Sequence, residues 1–224
     1  MKSKRSKSPL RVRRAVYFAS LLIALFLLSN YIAALLVDPN SDGFFFVSSA
    51  AVSLSFSATA IIYLTMIEKS KKSIAARLGL SLSGITLRNI LLGVFVFVII
   101  LLLEVATGII STITNIPIST NVQLLFAGAP MWFYVFAAVL APLNEEMLFR
   151  GLMVPRVGIL ISAVLFAVPH VTYDSTFAVE VIAALIFGII AGYVYKKTSS
   201  LYPSLIAHML VNMLTIAGTL AMLA

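Results

Sequence analysis

Chemistry in this chain is possible where ionisable side chains interrupt apolar surroundings. An adjacent acid pair, Glu145 and Glu146, ends one apolar run, and Arg150 follows it. The chain's two histidines, His170 and His208, each interrupt another run, and Asn212 lies four residues beyond His208. Ionisable groups are costly in a bilayer, so each of these is a functional candidate on position alone. Glu146 and Arg150 are four apart and share a helix face, as an ion pair requires. Glu145 is turned by ~100° from its neighbour, so one acid can be neutralised while the other stays available. His208 and Asn212 also share a face. A carboxylate can deprotonate water and an imidazole can relay the proton. An imidazole N–H and an amide N–H can hold a developing oxyanion. The inventory suits hydrolysis of a peptide bond by activated water, with no serine or cysteine nucleophile.

Each motif also has a plainer reading. The acid pair with Arg150 is also what an interfacial anchor looks like, and Pro142 before it can kink or start a helix. His170, which follows Pro169, can be a satisfied core histidine. His208 and Asn212 can be a hydrogen-bonded pair joining helices. Two histidines and a glutamate are the minimum ligand set for catalytic zinc, but no His-Glu-x-x-His pattern is present. Glu145 as a ligand would leave only Glu146, paired with Arg150, as a base. The expectation is therefore no metal and no cofactor. Glu104 lies inside an apolar run with no evident cation, and its role stays open. Glu180 opens a run, where an acid favours a helix N-terminus. Gly188 and Gly192 form a small-xxx-small packing pattern, and Arg88 reads as a snorkelling anchor.

The elements that must position these groups are membrane helices. The chain has 224 residues and is 61% hydrophobic, too apolar for a soluble domain. Runs of about 16–37, 44–67, 89–113, 129–148, 157–172, 177–195 and 201–223 approach the ~20 residues that span a bilayer. The fifth is short. The expected fold class is all-α, a polytopic membrane helical bundle of about seven transmembrane helices, because backbone groups in lipid must be satisfied internally. A straight fifth helix would put His170 ~20 Å deep and His208 only ~10 Å deep. Assembly of one site requires that segment to begin below the surface or to tilt.

The net charge of +8 does not indicate nucleic acid, because it is segregated. With seven helices, all 16 basic residues fall on one side, from Lys2 to Arg14, Lys69 to Arg88, Arg150, Arg156, Lys196 and Lys197. The loops 38–43, 111–128 and 173–176 carry none. This places the N-terminus in the cytoplasm and lets it touch anionic membrane lipid. The first apolar run exceeds twenty residues, longer than a usual signal-peptide core of ~7–15; a retained helix is preferred over cleavage near Ala33-Ala34. The absence of cysteine excludes disulfide and thiolate chemistry.

Residues 68–88 mix charge, Ser and Gly with Ile74, Leu78, Leu80 and Leu82, as in a surface-lying amphipathic helix with a loop. They divide residues 1–88 (basic segment, transmembrane hairpin and cytoplasmic basic loop) from residues 89–224, which hold every polar intramembrane candidate. Residues 111–128 read as an external or re-entrant connection.

Three motifs occur in order: Glu145-Glu146-x-x-x-Arg150-Gly151, Phe166-x-x-x-His170 and His208-x-x-x-Asn212. Pro142, Gly192, Thr198-Ser199-Ser200-Leu201 and Pro203-Ser204 surround them. Over about residues 125–215 this resembles the CAAX protease and bacteriocin-processing family of intramembrane proteases, which includes the abortive-infection proteins and the CAAX prenyl endopeptidases. The resemblance implies an intramembrane glutamic endopeptidase. Glu145 would match the catalytic glutamate, His170 its partner on water, His208 and Asn212 the oxyanion pair, and Glu146 and Arg150 the supporting acid and arginine. It implies peptide or protein substrates, lipidated or not, in the cell membrane with a cytoplasmic approach. The oligomeric state is not implied. The rivals are a non-catalytic scaffold or transporter, against which no internal repeat is visible, and a zinc-dependent membrane hydrolase.

Overall fold

A computed structural model of the chain describes residues 8–68, 72–115, 126, 128–173 and 179–223. Most of the expected connection at 111–128, part of the loop at 173–176 and the first seven residues lie outside the described residues. The chain divides into two compact units, Met1–Ile74 and Ala75–Ala224. The fold is all-α, with no strand among the described residues.

The first unit is a hairpin of α1 (Ser8–Leu36) and α2 (Asp42–Ile62). Its turn is closed locally: the Asn40 backbone N–H donates to Asp38 Oδ1 at 3.0 Å and the Ser41 N–H to the Asp38 carbonyl at 2.9 Å. Asp42 then sits in the first turn of α2, where the helix dipole favours an acid. At the far end α2 widens into a π-helical turn, Tyr63–Glu68, and Tyr63 meets Phe18 of α1 edge-on at 5.7 Å. The buried hydroxyl of Thr59 donates back to the Ser55 carbonyl at 2.7 Å, so the polar group carries its own partner into apolar surroundings.

The second unit begins around a short helix, α3 (Ile74–Leu78), and a 3-10 turn, Leu82–Gly84. The expected surface-lying segment is thus partly anchored inward. Leu78 is fully buried, and a side chain at Gly151 would collide with it at 2.9 Å, whereas Leu82 is exposed. Helix α4 (Leu87–Thr114) is capped by Thr86, whose hydroxyl accepts from the Asn89 N–H at 3.2 Å. It packs along α8 (Tyr202–Leu223) with Gly93 at the closest approach; a Cβ there would lie 2.8 Å from Ile206. Helix α7 (Val179–Thr198) packs on α6 (Ile159–Ala167) through the expected glycines, Gly188 against Ala163 and Gly192 against Ile159.

Helix α5, residues 131–157, departs from a simple span. It runs Met131–Val135, widens into a π segment at Phe136–Leu140, returns to α at Ala141–Glu146, widens again at Met147–Met153 and ends with Val154–Val157. Prolines explain the leftover carbonyls. In the first π segment the Ala141 N–H donates five residues back to Phe136. The next donor in that register would serve Ala137, but it belongs to Pro142, which has no N–H. Pro155 withholds a donor from the second segment in the same way.

Among the described residues, five helical segments are long and apolar enough to cross a membrane: Arg13–Leu36, Asp42–Glu68, Leu87–Thr114, Glu180–Thr198 and Tyr202–Leu223. The other two expected segments are present as helices of a different kind. Broken α5 carries the charges, and α6 belongs to a shorter apolar stretch, Ile159–Val171. Gly158, at φ +90°, separates them. Only nine residues of α6 precede the 3-10 turn Val168–Tyr173 that holds His170. The straight helix that would have carried His170 too deep is therefore not formed.

Candidate active site

The stretch of α5 between the two π segments projects Glu145 and Glu146, and Arg150 follows one turn later. Glu146 is fully buried and Arg150 is 1% exposed; Arg150 Nη1 lies 3.0 Å from Glu146 Oε1. This is the i, i+4 pair expected from spacing. Burying two charges is tolerable only when each satisfies the other. The guanidinium gains a further hold from aromatic faces, lying 4.0 Å from the Phe166 ring centre and 5.0 Å from that of Phe187.

His208, on α8, joins this pair. Its Nδ1 is 3.1 Å from the same Glu146 Oε1, and its Nε2 is 3.8 Å from Glu145 Oε2. Both glutamates therefore reach one imidazole, from opposite ring nitrogens. A carboxylate beside an arginine only accepts hydrogen bonds, so His208 Nδ1 donates to Glu146 and Nε2 faces Glu145. A gap of 3.8 Å is too long for a direct hydrogen bond and suits a bridging water. Of the two acids, Glu145 is the more accessible, with 21% of its side chain exposed.

His170 Nδ1 lies 3.1 Å from the Phe166 carbonyl. A carbonyl only accepts, so Nδ1 carries the proton. His170 and His208 flank the same Phe166 ring, at 5.1 and 5.7 Å between centres. Phe187 of α7 packs on His208 at 5.0 Å. The two imidazoles thus come together around one aromatic pair.

Asn212 shares the His208 face of α8, as expected, but its amide is engaged: Nδ2 donates to the Ala137 carbonyl at 2.8 Å. That is the carbonyl left over by Pro142 and the π register. Two other α5 carbonyls also accept from side chains of neighbouring helices. Ser162 of α6 donates to Phe149 at 2.6 Å, and Tyr195 of α7 to Gly151 at 3.4 Å. π segments inside helices recur at functional sites, and here the acid pair lies between two of them.

Glu145, Glu146, Arg150, His170, His208 and Asn212 are thus assembled from α5, α6 with its 3-10 extension, and α8. Glu104 is elsewhere, exposed on α4. Glu180 occupies the first turn of α7, as expected. Phe187 and the Ala137 carbonyl were not legible from sequence: one is an ordinary apolar residue beside Gly188, the other a backbone atom. Among the described residues, no group of three or more His, Cys, Asp or Glu is arranged to hold a metal ion.

Fold and site together define a helical membrane protein with a buried acid–histidine–arginine cluster. Residues 127–214 match the family model described as Type II CAAX prenyl endopeptidase Rce1-like, consistent with the CAAX protease family expected from the three motifs. The match makes this part of the chain similar to CAAX-type intramembrane proteases. No curated protein and no solved structure matches the chain.

Proposed function

We propose that the protein is an intramembrane glutamic endopeptidase in which Glu145 and His208 act on one water molecule. The observation that carries this reading is the 3.8 Å separation of Glu145 Oε2 and His208 Nε2, above a Glu146–Arg150 pair that holds the other side of the imidazole. Water between the two loses a proton to Glu145 as its oxygen attacks the scissile carbonyl. His170, beside the same Phe166 ring as His208, is the second partner on that water. When Glu145 passes that proton to His208, the imidazolium lies against the Glu146 carboxylate, which stabilises it. The new Nε2–H can then donate to the oxyanion or to the leaving amine. Asn212, with one amide hydrogen on Ala137, keeps the other for the oxyanion. Glu146 and Arg150 orient His208 rather than touch substrate.

The substrates are peptides or protein tails, lipidated ones among them, as the family's description suggests. Segregation of the basic residues supports a cytoplasmic N-terminus and a site approached from the cytoplasm of a cell membrane. Residues 1–88 serve as an accessory segment and residues 89–224 as the protease core. The test is cleavage of a library of tail peptides by purified full-length protein beside Glu145→Ala and His208→Ala. Loss of turnover in both, with folding retained, is expected. Turnover undiminished in both removes the mechanism. Turnover abolished by a chelator and restored by zinc favours the metal rival instead.

A further inference from the structure

One ionisable residue in the membrane lies outside this cluster. Glu104 is exposed on α4, with the exposed apolar residues Leu102, Leu103 and Val105 beside it. It lies ~26 Å along the axis from Leu87 and ~15 Å from Thr114, at 1.5 Å per residue. That is close to the middle of a hydrocarbon core of ~30 Å. Among the described residues it has no hydrogen-bond or ion-pair partner. A carboxyl facing lipid at this depth is unfavourable unless a partner satisfies it.

We infer that this face of α4 binds a second copy of the same chain, Glu104 against Glu104 of the other copy. Among the described residues no cation pairs with Glu104. The chain's basic residues lie toward the ends of the spans, and Arg150 is buried with Glu146. A neutral carboxyl carries both an O–H donor and a carbonyl acceptor, so an identical group satisfies both. A two-fold axis makes such a contact self-complementary. One turn further along the same face, a Cβ at Gly108 would meet nothing within 4 Å, which leaves the backbone open to close approach by another helix.

The test uses full-length protein, labelled with donor or acceptor dye and reconstituted into phosphatidylcholine vesicles at falling protein-to-lipid ratio. Energy transfer between copies is expected to persist on dilution for the wild type and for Glu104→Gln, whose amide also donates and accepts. It should weaken about tenfold for Glu104→Leu, the order of one interhelical hydrogen-bonded contact in a bilayer. Gly108→Ile should weaken it too. Thermal unfolding in detergent checks that each variant folds. Wild type that stays monomeric at every ratio overturns the inference, as does Glu104→Leu that associates like wild type. A polyleucine helix with one central lysine serves as a third arm. Its Glu104-dependent capture by protein that does not self-associate would assign the face to a cationic partner and sink the two-fold contact.

Discussion

Helices α4 and α5 handle acids in opposite ways. α4 is an unbroken helix of 28 residues with a single acid, Glu104, on an exposed face. α5 is broken by two π segments and gathers Glu145, Glu146 and Arg150 between and within them, with Glu146 and Arg150 buried. Regular helix satisfies its own backbone and leaves a stray carboxyl to find a partner outside. Interrupted helix leaves carbonyls over, draws in side chains from its neighbours, and so builds a polar interior in which charges can pair. The contrast teaches that placement among partners, more than depth in the membrane, decides what an intramembrane acid can do.

The comparison breaks most visibly at the acid assigned to water. Glu145→Gln should lower peptide turnover by ~10²–10⁴-fold, the range for loss of a general base, while the unfolding midpoint in detergent stays near wild type. A variant with full turnover would leave α5 as scaffold. Next in size is Arg150→Met, which strands the buried Glu146 carboxylate and should cost about 3–5 kcal/mol of stability. Adding Glu146→Leu to that variant should recover part of the loss, since removing both partners costs less than removing one. If the double variant is no more stable than the single, the pair is not what holds α5. Smaller again is Ser162→Ala, which removes one of the two hydrogen bonds the Phe149 carbonyl accepts and should cost about 0.5–1.5 kcal/mol, read by chemical denaturation. Smallest is Glu104→Leu, expected to leave both turnover and the stability of the single chain nearly unchanged. A marked drop in either would show that α4 and α5 are less different than they look.

Much of the site was legible beforehand because helical spacing is local. The four-residue step from Glu146 to Arg150 predicted their ion pair, and the step from His208 to Asn212 predicted their shared face. The order of the three motifs pointed to the family whose model matches residues 127–214. The depth conflict at His170 was also visible, though its resolution was not: α6 starts only after Gly158 and tightens into a 3-10 turn after nine residues. Nothing in Phe187 marked it as the ring that packs on His208 and Arg150. Two readings of Asn212 were open, an oxyanion donor or a hydrogen bond joining helices, and the structure engages its amide with the Ala137 carbonyl of α5.

Sequence alone determined that this chain enters a membrane as helices, and which few residues are too polar to be there without cause. Transfer free energy and the 3.6-residue period act on neighbours along the chain, so both can be read from it. Tertiary structure alone decided that both glutamates meet one imidazole, and which backbone carbonyls needed side chains from other helices. Those outcomes depend on where prolines and π turns shift the hydrogen-bond register, and on which helix then lies close enough to answer it.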